Sequence, residues 1–143
     1  MGLYPIQLPS FYIADISNGE FQMIINDHLF TMEKHMAYDV PNTILRALAD
    51  LIEGKESEVE ITWSGLGFVE YELILRRVDD NLYINTECER SNDNIIRMAK
   101  AVLWQFELYE NGNGRKRYDS HYIPFPQQEY DRLKQLVKSS KNK

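Results

Sequence analysis

From Pro41 to Arg90 the chain reads PNTILRALADLIEGKESEVEITWSGLGFVEYELILRRVDDNLYINTECER, and the period of its apolar residues decides the fold. Ile44, Leu45, Leu48, Leu51 and Ile52 recur at helical spacing, which predicts a short amphipathic helix with one apolar stripe. Asn42 is placed to cap its N-terminus, and Gly54 to take the left-handed turn that stops it. The period then drops to two. In Glu58-Val59-Glu60-Ile61-Thr62-Trp63 the apolar residues share one face and two carboxylates with a threonine share the other. Val69, Tyr71, Leu73 and Leu75 alternate in the same way with Glu70, Glu72, Ile74 and Arg76. Asp79-Asp80-Asn81 supplies turn chemistry, and Leu82, Ile84, Thr86 and Cys88 continue beyond it. This predicts a hairpin over about Val69 to Glu87, joined through Ser64-Gly65-Leu66-Gly67 to the preceding strand as a three-strand antiparallel meander.

Outward from this stretch, Glu20 to Ile25 alternates, with Phe21, Met23 and Ile25 on one side. Asn26-Asp27-His28 reads as a turn into Leu29-Phe30-Thr31-Met32, giving a first hairpin. Residues 1–19 carry Pro5 and Pro9, and Phe11 to Ile13 read as an irregular or edge segment. Glu33 to Val40 reads as strand fading into loop, because Val40 precedes a proline and such a position favours extended backbone. After Arg90, Ser91-Asn92-Asp93 offers capping side chains to a helix. Its stripe is Ile95, Ala99, Val102, Leu103 and Phe106, widened by Ile96, Met98, Trp104 and Leu108, which predicts burial on more than one side. Asn111-Gly112-Asn113-Gly114 is expected to end it. A last helix, from about Gln127 to Lys138, is anchored by Tyr130, Leu133, Leu136 and Val137, with residues 139–143 expected to fray. Strands that come in groups argue for an α+β domain: an antiparallel sheet of four to five strands in two hairpin-like units, with about three helices packed on one face.

At 143 residues the chain is the size of one domain, expected to span 1–143, and long enough to bury a core without metals or disulfides. Its single cysteine, Cys88, forms no intramolecular bridge and sits where a small buried apolar residue belongs. No apolar run has the length of a membrane span, and the first residues lack the basic and then apolar regions of a signal peptide, so the reading is cytoplasmic. The net charge of -6 is unevenly spread: residues 53–93 hold eleven acids and four bases, residues 114–143 three acids and eight bases. A wet sheet face bearing Glu58, Glu60, Glu70, Glu72 and Glu87 repels nucleic acid and attracts a cationic protein; the same charges also serve solubility and guard sheet edges.

No catalytic or metal motif is present. His28, His35 and His121 lack the three- or four-residue spacing that places ligands on one helix face, and no CxxC accompanies them. Cys88 and His121 have neither a nucleophile elbow nor an orienting third residue. Glu70 with Glu72, and Glu58 with Glu60, point the same way along a strand, as any alternating polar face would, and no sugar-binding cleft is signalled. Ser64 to Gly67 and Asn111 to Lys116 open no helix and so make no phosphate cradle. Arg115-Lys116-Arg117 with Tyr118, Tyr122 and Phe125 mixes basic and aromatic residues, but the patch is short in an acidic chain. No cofactor is implied. Trp63, Tyr71 and Tyr83 among the glutamates are also what a protein-binding surface carries.

The run Ile44 to Gly54, then Val59 to Trp63, Tyr71-Glu72-Leu73 and the Asp79-Asp80-Asn81 hairpin, resembles small bacterial proteins presumed to be immunity proteins of polymorphic toxin systems. The likeness spans about a third of the chain and carries over no functional residue. It implies a compact, non-enzymatic binder that occludes a toxin. The expectation is therefore a protein-binding domain of immunity type acting on a basic partner through Glu58, Glu60, Glu70 and Glu72, with Asp80 and Glu87 secondary. The alternative is a small ligand-binding or enzymatic domain with a pocket between sheet and helices. A third expectation is a homodimer that buries the apolar surface of the helix from about Ile95 to Tyr109.

Overall fold

The computed structural model describes residues 11–15, 20–25, 28–33, 40–64, 70–86, 90–110 and 125–141. The elements, in chain order, are β1 (Phe11–Asp15), β2 (Glu20–Ile25), β3 (His28–Glu33), α1 (Val40–Glu53), β4 (Glu58–Ser64), β5 (Glu70–Val78), β6 (Asn81–Asn85), β7 (Arg90–Asn94), α2 (Ile95–Glu107) and α3 (Gln127–Lys141). The fold is α+β. Its strands form two antiparallel sheets, β1-β2-β3 and β4-β5-β6-β7, each in sequence order. The expected hairpin units are both there, and β1 and β7 bring the strands to seven among the described residues.

The period of two is obeyed in the larger sheet. Ile61, Leu73, Leu75, Leu82 and Ile84 are buried on one side, while Glu58, Glu60, Thr62, Glu72 and Arg76 are exposed on the other. Helices α1 and α2 cover the buried side, α1 against β4 and β5, α2 against β6 and β7; α3 packs on both helices, and α2 also meets β1 of the smaller sheet. Ile44, Leu45, Leu48 and Leu51 of α1, Met98, Val102 and Phe106 of α2, Leu133 of α3 and Met23 and Ile25 of β2 join one core. Burial of such side chains contributes on the order of 2 kcal/mol each.

Several details depart from the sequence reading. Helix α1 begins at Val40, so Asn42 lies inside its first turn and is not the cap; Pro41 fits there because a first-turn N–H has no intrahelical acceptor to lose. His28 opens β3, paired with Ile25, instead of sitting in a turn. The residues read as a cap, Ser91-Asn92-Asp93, form β7, and α2 is capped by Asn94, whose side chain accepts from the N–H groups of Ile96 and Arg97 at 2.9 and 3.1 Å. Trp104 and Leu108 are not buried: they are 53% and 54% exposed. Helix α3 runs three residues past Lys138. The Asn111 to Gly114 stop, Ser64-Gly65-Leu66-Gly67 beyond Ser64, Cys88, His35 and His121 lie outside the described residues.

One corner joins the parts. The two-residue turn Asp79-Asp80 links β5 to β6, with Asp79 in left-handed backbone at φ 55, a region short Asx side chains tolerate. Arg77, just before the turn, donates from Nε to the Asp79 carbonyl at 2.7 Å and from Nη1 to the Leu51 and Ile52 carbonyls at 2.9 Å each. These are carbonyls of the last turn of α1, which the helix itself cannot satisfy and which carry its negative pole. Gly54 then turns the chain at φ 81, with its N–H on the Leu51 carbonyl. On the other side of the turn, the Asp80 carbonyl accepts from the Ile95 N–H, where α2 starts.

Helix α3 is held by two polar contacts around an aromatic contact. Arg132 reaches α1, with Nη2 2.7 Å from Asp50 and 2.8 Å from Glu53 and Nη1 3.8 Å from Glu129; the Asp50 hydrogen bond, more than any other cause, raises its already high pKa. Tyr130 is fully buried, packed edge-on against Phe125 at 5.3 Å, and donates to Glu110 Oε1 at 3.3 Å. Burial first, then the charges of Glu110 and Glu107, push its phenol well above the ordinary tyrosine range.

Two outcomes follow from these contacts. Arg77→Met removes three charge-assisted bonds and should cost about 2 kcal/mol in urea unfolding, whereas Arg76→Ala, next in sequence but on the exposed side, should cost under about 1 kcal/mol. Because the folded chain holds the Tyr130 proton more tightly than the unfolded chain, this group's contribution is complete below about pH 10 and falls as pH rises above it. Tyr130→Phe should therefore be less stable than wild type at neutral pH, through loss of the Glu110 bond, yet show a shallower loss of stability above about pH 10.

Candidate functional site

With α1 and α2 on one side of the larger sheet, no described element packs on the other. The pairing fixes what that open face presents. Between β4 and β5, Glu58 lies opposite Arg76, Glu60 opposite Ile74, Thr62 opposite Glu72 and Ser64 opposite Glu70. Between β5 and β6, Arg76 lies opposite Tyr83 and Ile74 opposite Asn85; β7 adds Asn92 opposite Tyr83 and Arg90 opposite Asn85. Directly paired residues on one face stand within side-chain reach, and diagonal ones nearly so. The face therefore divides into an acidic half on β4 and β5 and a neutral to basic half on β6 and β7. Half-buried Ile74 and Tyr83 lie along the boundary.

Of the residues expected to bind a partner, Glu58, Glu60 and Glu72 are brought together on this face and are exposed. Glu70 occupies a register position on the same side. Asp80 is apart from them, on the hairpin turn: its side chain is 88% exposed and lies 3.8 Å from Arg77 Nη2, at the corner that fixes the helices. Glu87 lies outside the described residues. Among the aromatic residues, Tyr83 shares the face with the glutamates, while Trp63 and Tyr71 pair with each other at core-side register positions.

Two cations also stand on the face: Arg76, which the alternation of β5 placed there without a role, and Arg90, which it did not place. Arg76 sits opposite Glu58 and stacks its guanidinium 5.6 Å from the Tyr83 ring centroid, a cation–π distance. Its place in the alternation beside Glu72 was enough to find it. Arg90 belongs to β7, whose polar residues gave no period, so its place had no signal.

The layer between sheet and helices is lined by aliphatic residues, and Ser91 and Gln105 are the buried polar side chains among the described residues. No group of three or more histidine, cysteine, aspartate or glutamate side chains is arranged to hold a metal among the described residues. Nor is any described helix long and apolar enough to cross a membrane. No known protein family matches the sequence, and comparison with curated proteins and with solved structures finds no match.

Proposed function

We propose that this chain is a protein-binding domain of the immunity type, which inhibits a basic partner by laying the open face of its larger sheet over it. The observation that carries this reading is the exposed cluster of Glu58, Glu60 and Glu72 on β4 and β5, on a face no described element covers, with Ile74 and Tyr83 at its edge. The carboxylates supply long-range attraction and speed encounter; the half-buried apolar and aromatic side chains supply contact area once the surfaces meet. Arg90, on β7, sets orientation, because a partner with a basic patch is repelled from the β6–β7 half and drawn to the β4–β5 half.

The pocket alternative has less in its favour. A ligand site needs convergent polar groups in a concavity, and the described side chains between sheet and helices are almost all aliphatic.

The test is a pull-down from host lysate that includes the products of adjacent genes, washed at low and then high salt. Association kinetics are then measured with the protein retained. Glu60 and Glu72 lie opposite Ile74 and Thr62, so Glu60→Lys with Glu72→Lys creates no directly opposed like-charge pair and should leave the fold intact. Association should slow by about tenfold or more at low salt, and its salt dependence should flatten. A partner that binds the double variant with unchanged kinetics would sink the acidic-face reading.

A further inference from the structure

The outward side of α2 carries a second surface, independent of the sheet face. Trp104 and Leu108 lie one turn apart on it and are each about half exposed, among the largest apolar side chains left open in the described structure. Lys100, one turn before Trp104, and Glu107, three residues after it, fall on the same side of the helix and are exposed. The charges run against the helix's own polarity. Its first turn has no acid and its last turn no base; instead two basic residues, Arg97 and Lys100, lie in the N-terminal half, Arg97 paired with Asp93 at 2.8 Å, and Glu107 closes the C-terminal end. The helix dipole prefers the reverse, so this arrangement contributes nothing to the isolated helix.

An antiparallel copy of the same surface supplies what is lacking. When two α2 helices cross about a two-fold axis near Trp104, Lys100 of each faces Glu107 of the other and the helix dipoles oppose. The Trp104 and Leu108 side chains then cover one another, since a two-fold contact sets the same patch against itself. We infer that α2 is a self-association surface: two copies of this chain pair antiparallel through Trp104 and Leu108, with reciprocal Lys100–Glu107 ion pairs fixing the register. One helix face two turns long is small for an obligate interface, so the dimer is a weak one that forms as concentration rises.

Sedimentation velocity on the full chain tests this between about 1 µM and about 1 mM. Wild type should pass from monomer to dimer within that range. Trp104→Glu with Leu108→Glu, both at exposed positions, should stay monomeric with an unchanged far-ultraviolet circular dichroism spectrum. Lys100→Glu alone sets acid against acid at two symmetric places and should weaken the dimer by about tenfold or more, as should Glu107→Lys alone. The double variant Lys100→Glu with Glu107→Lys should recover wild-type association to within about threefold, because it restores both pairs with their signs exchanged. A wild type that is monomeric throughout, a dimer that survives Trp104→Glu with Leu108→Glu, or a double variant no better than either single one would each overturn the assignment.

Discussion

The guanidinium of Arg77 is where the larger sheet and the helices become one structure. Helix α1 has no basic residue in its last turn, so nothing on the helix itself answers the negative pole at its C-terminus, and the Gly54 N–H takes only one bond to the Leu51 carbonyl. Arg77 brings that cation from the end of β5, bonding the Leu51 and Ile52 carbonyls and holding the Asp79 carbonyl of its own hairpin turn. A lysine would not replace it. The fork of a guanidinium reaches two elements at once with fixed geometry, which a single ammonium cannot do. Since the Asp80 carbonyl also takes the first N–H of α2, the same turn positions the end of one helix and the start of another.

That corner explains why the sheet is covered on one side alone. Both helices leave it on the side of Leu75, Ile84 and Leu82, and α3 then closes over them, tied by Arg132 to Asp50 and Glu53 and by Tyr130 to Glu110. Nothing in the described chain is directed to the opposite side. A sheet face in water has to be polar to stay there, and this one mostly is, but Ile74 and Tyr83 interrupt it. Solubility alone accounts for the glutamates. It does not account for an isoleucine opposite Glu60 or for an aromatic ring stacked under Arg76.

The elements legible in the sequence were those in which burial writes the pattern. Strands β4, β5 and β6 and the stripes of α1 and α3 were readable because their inward positions are apolar at the spacing of their own geometry. Strand β7 was not: Arg90-Ser91-Asn92-Asp93-Asn94 has Ser91 and Asp93 at its core-side positions, opposite Ile84 and Leu82, and is a strand because β6 offers it a backbone edge. Asn94 was missed as the cap for the same reason, since a run of capping residues fixes no boundary until the strand before it is known. The stripe of α2 was read too broadly because apolar residues at helical spacing cannot say which of them a neighbour covers, and none of the described elements covers Trp104 and Leu108. Of the candidate site, the glutamates of β4 and β5 followed from alternation, whereas the detachment of Asp80 depended on the turn.

Arg77 could itself have been found by a rule that runs the other way. Leu73, Leu75 and Arg77 share one side of β5, so a charge stands where the pattern calls for an apolar residue, at the end of a strand and two residues from a turn. A misplaced charge of that kind signals a partner beyond the strand, because a guanidinium partly withdrawn from water, as that of Arg77 is, is costly to keep unpaired. The open face of the sheet and the outward side of α2 show the same logic at the surface. Ile74 and Tyr83 among carboxylates, and Trp104 and Leu108 between charges set against the helix dipole, depart from what the isolated chain prefers. The two surfaces lie on opposite layers, one on the uncovered side of the sheet and the other on a helix that packs against its covered side. In the dimer we propose, two chains joined through α2 would leave the open face of each sheet uncovered, and a partner that presented its basic patch twice would meet the pair at a higher effective concentration than it would either chain alone.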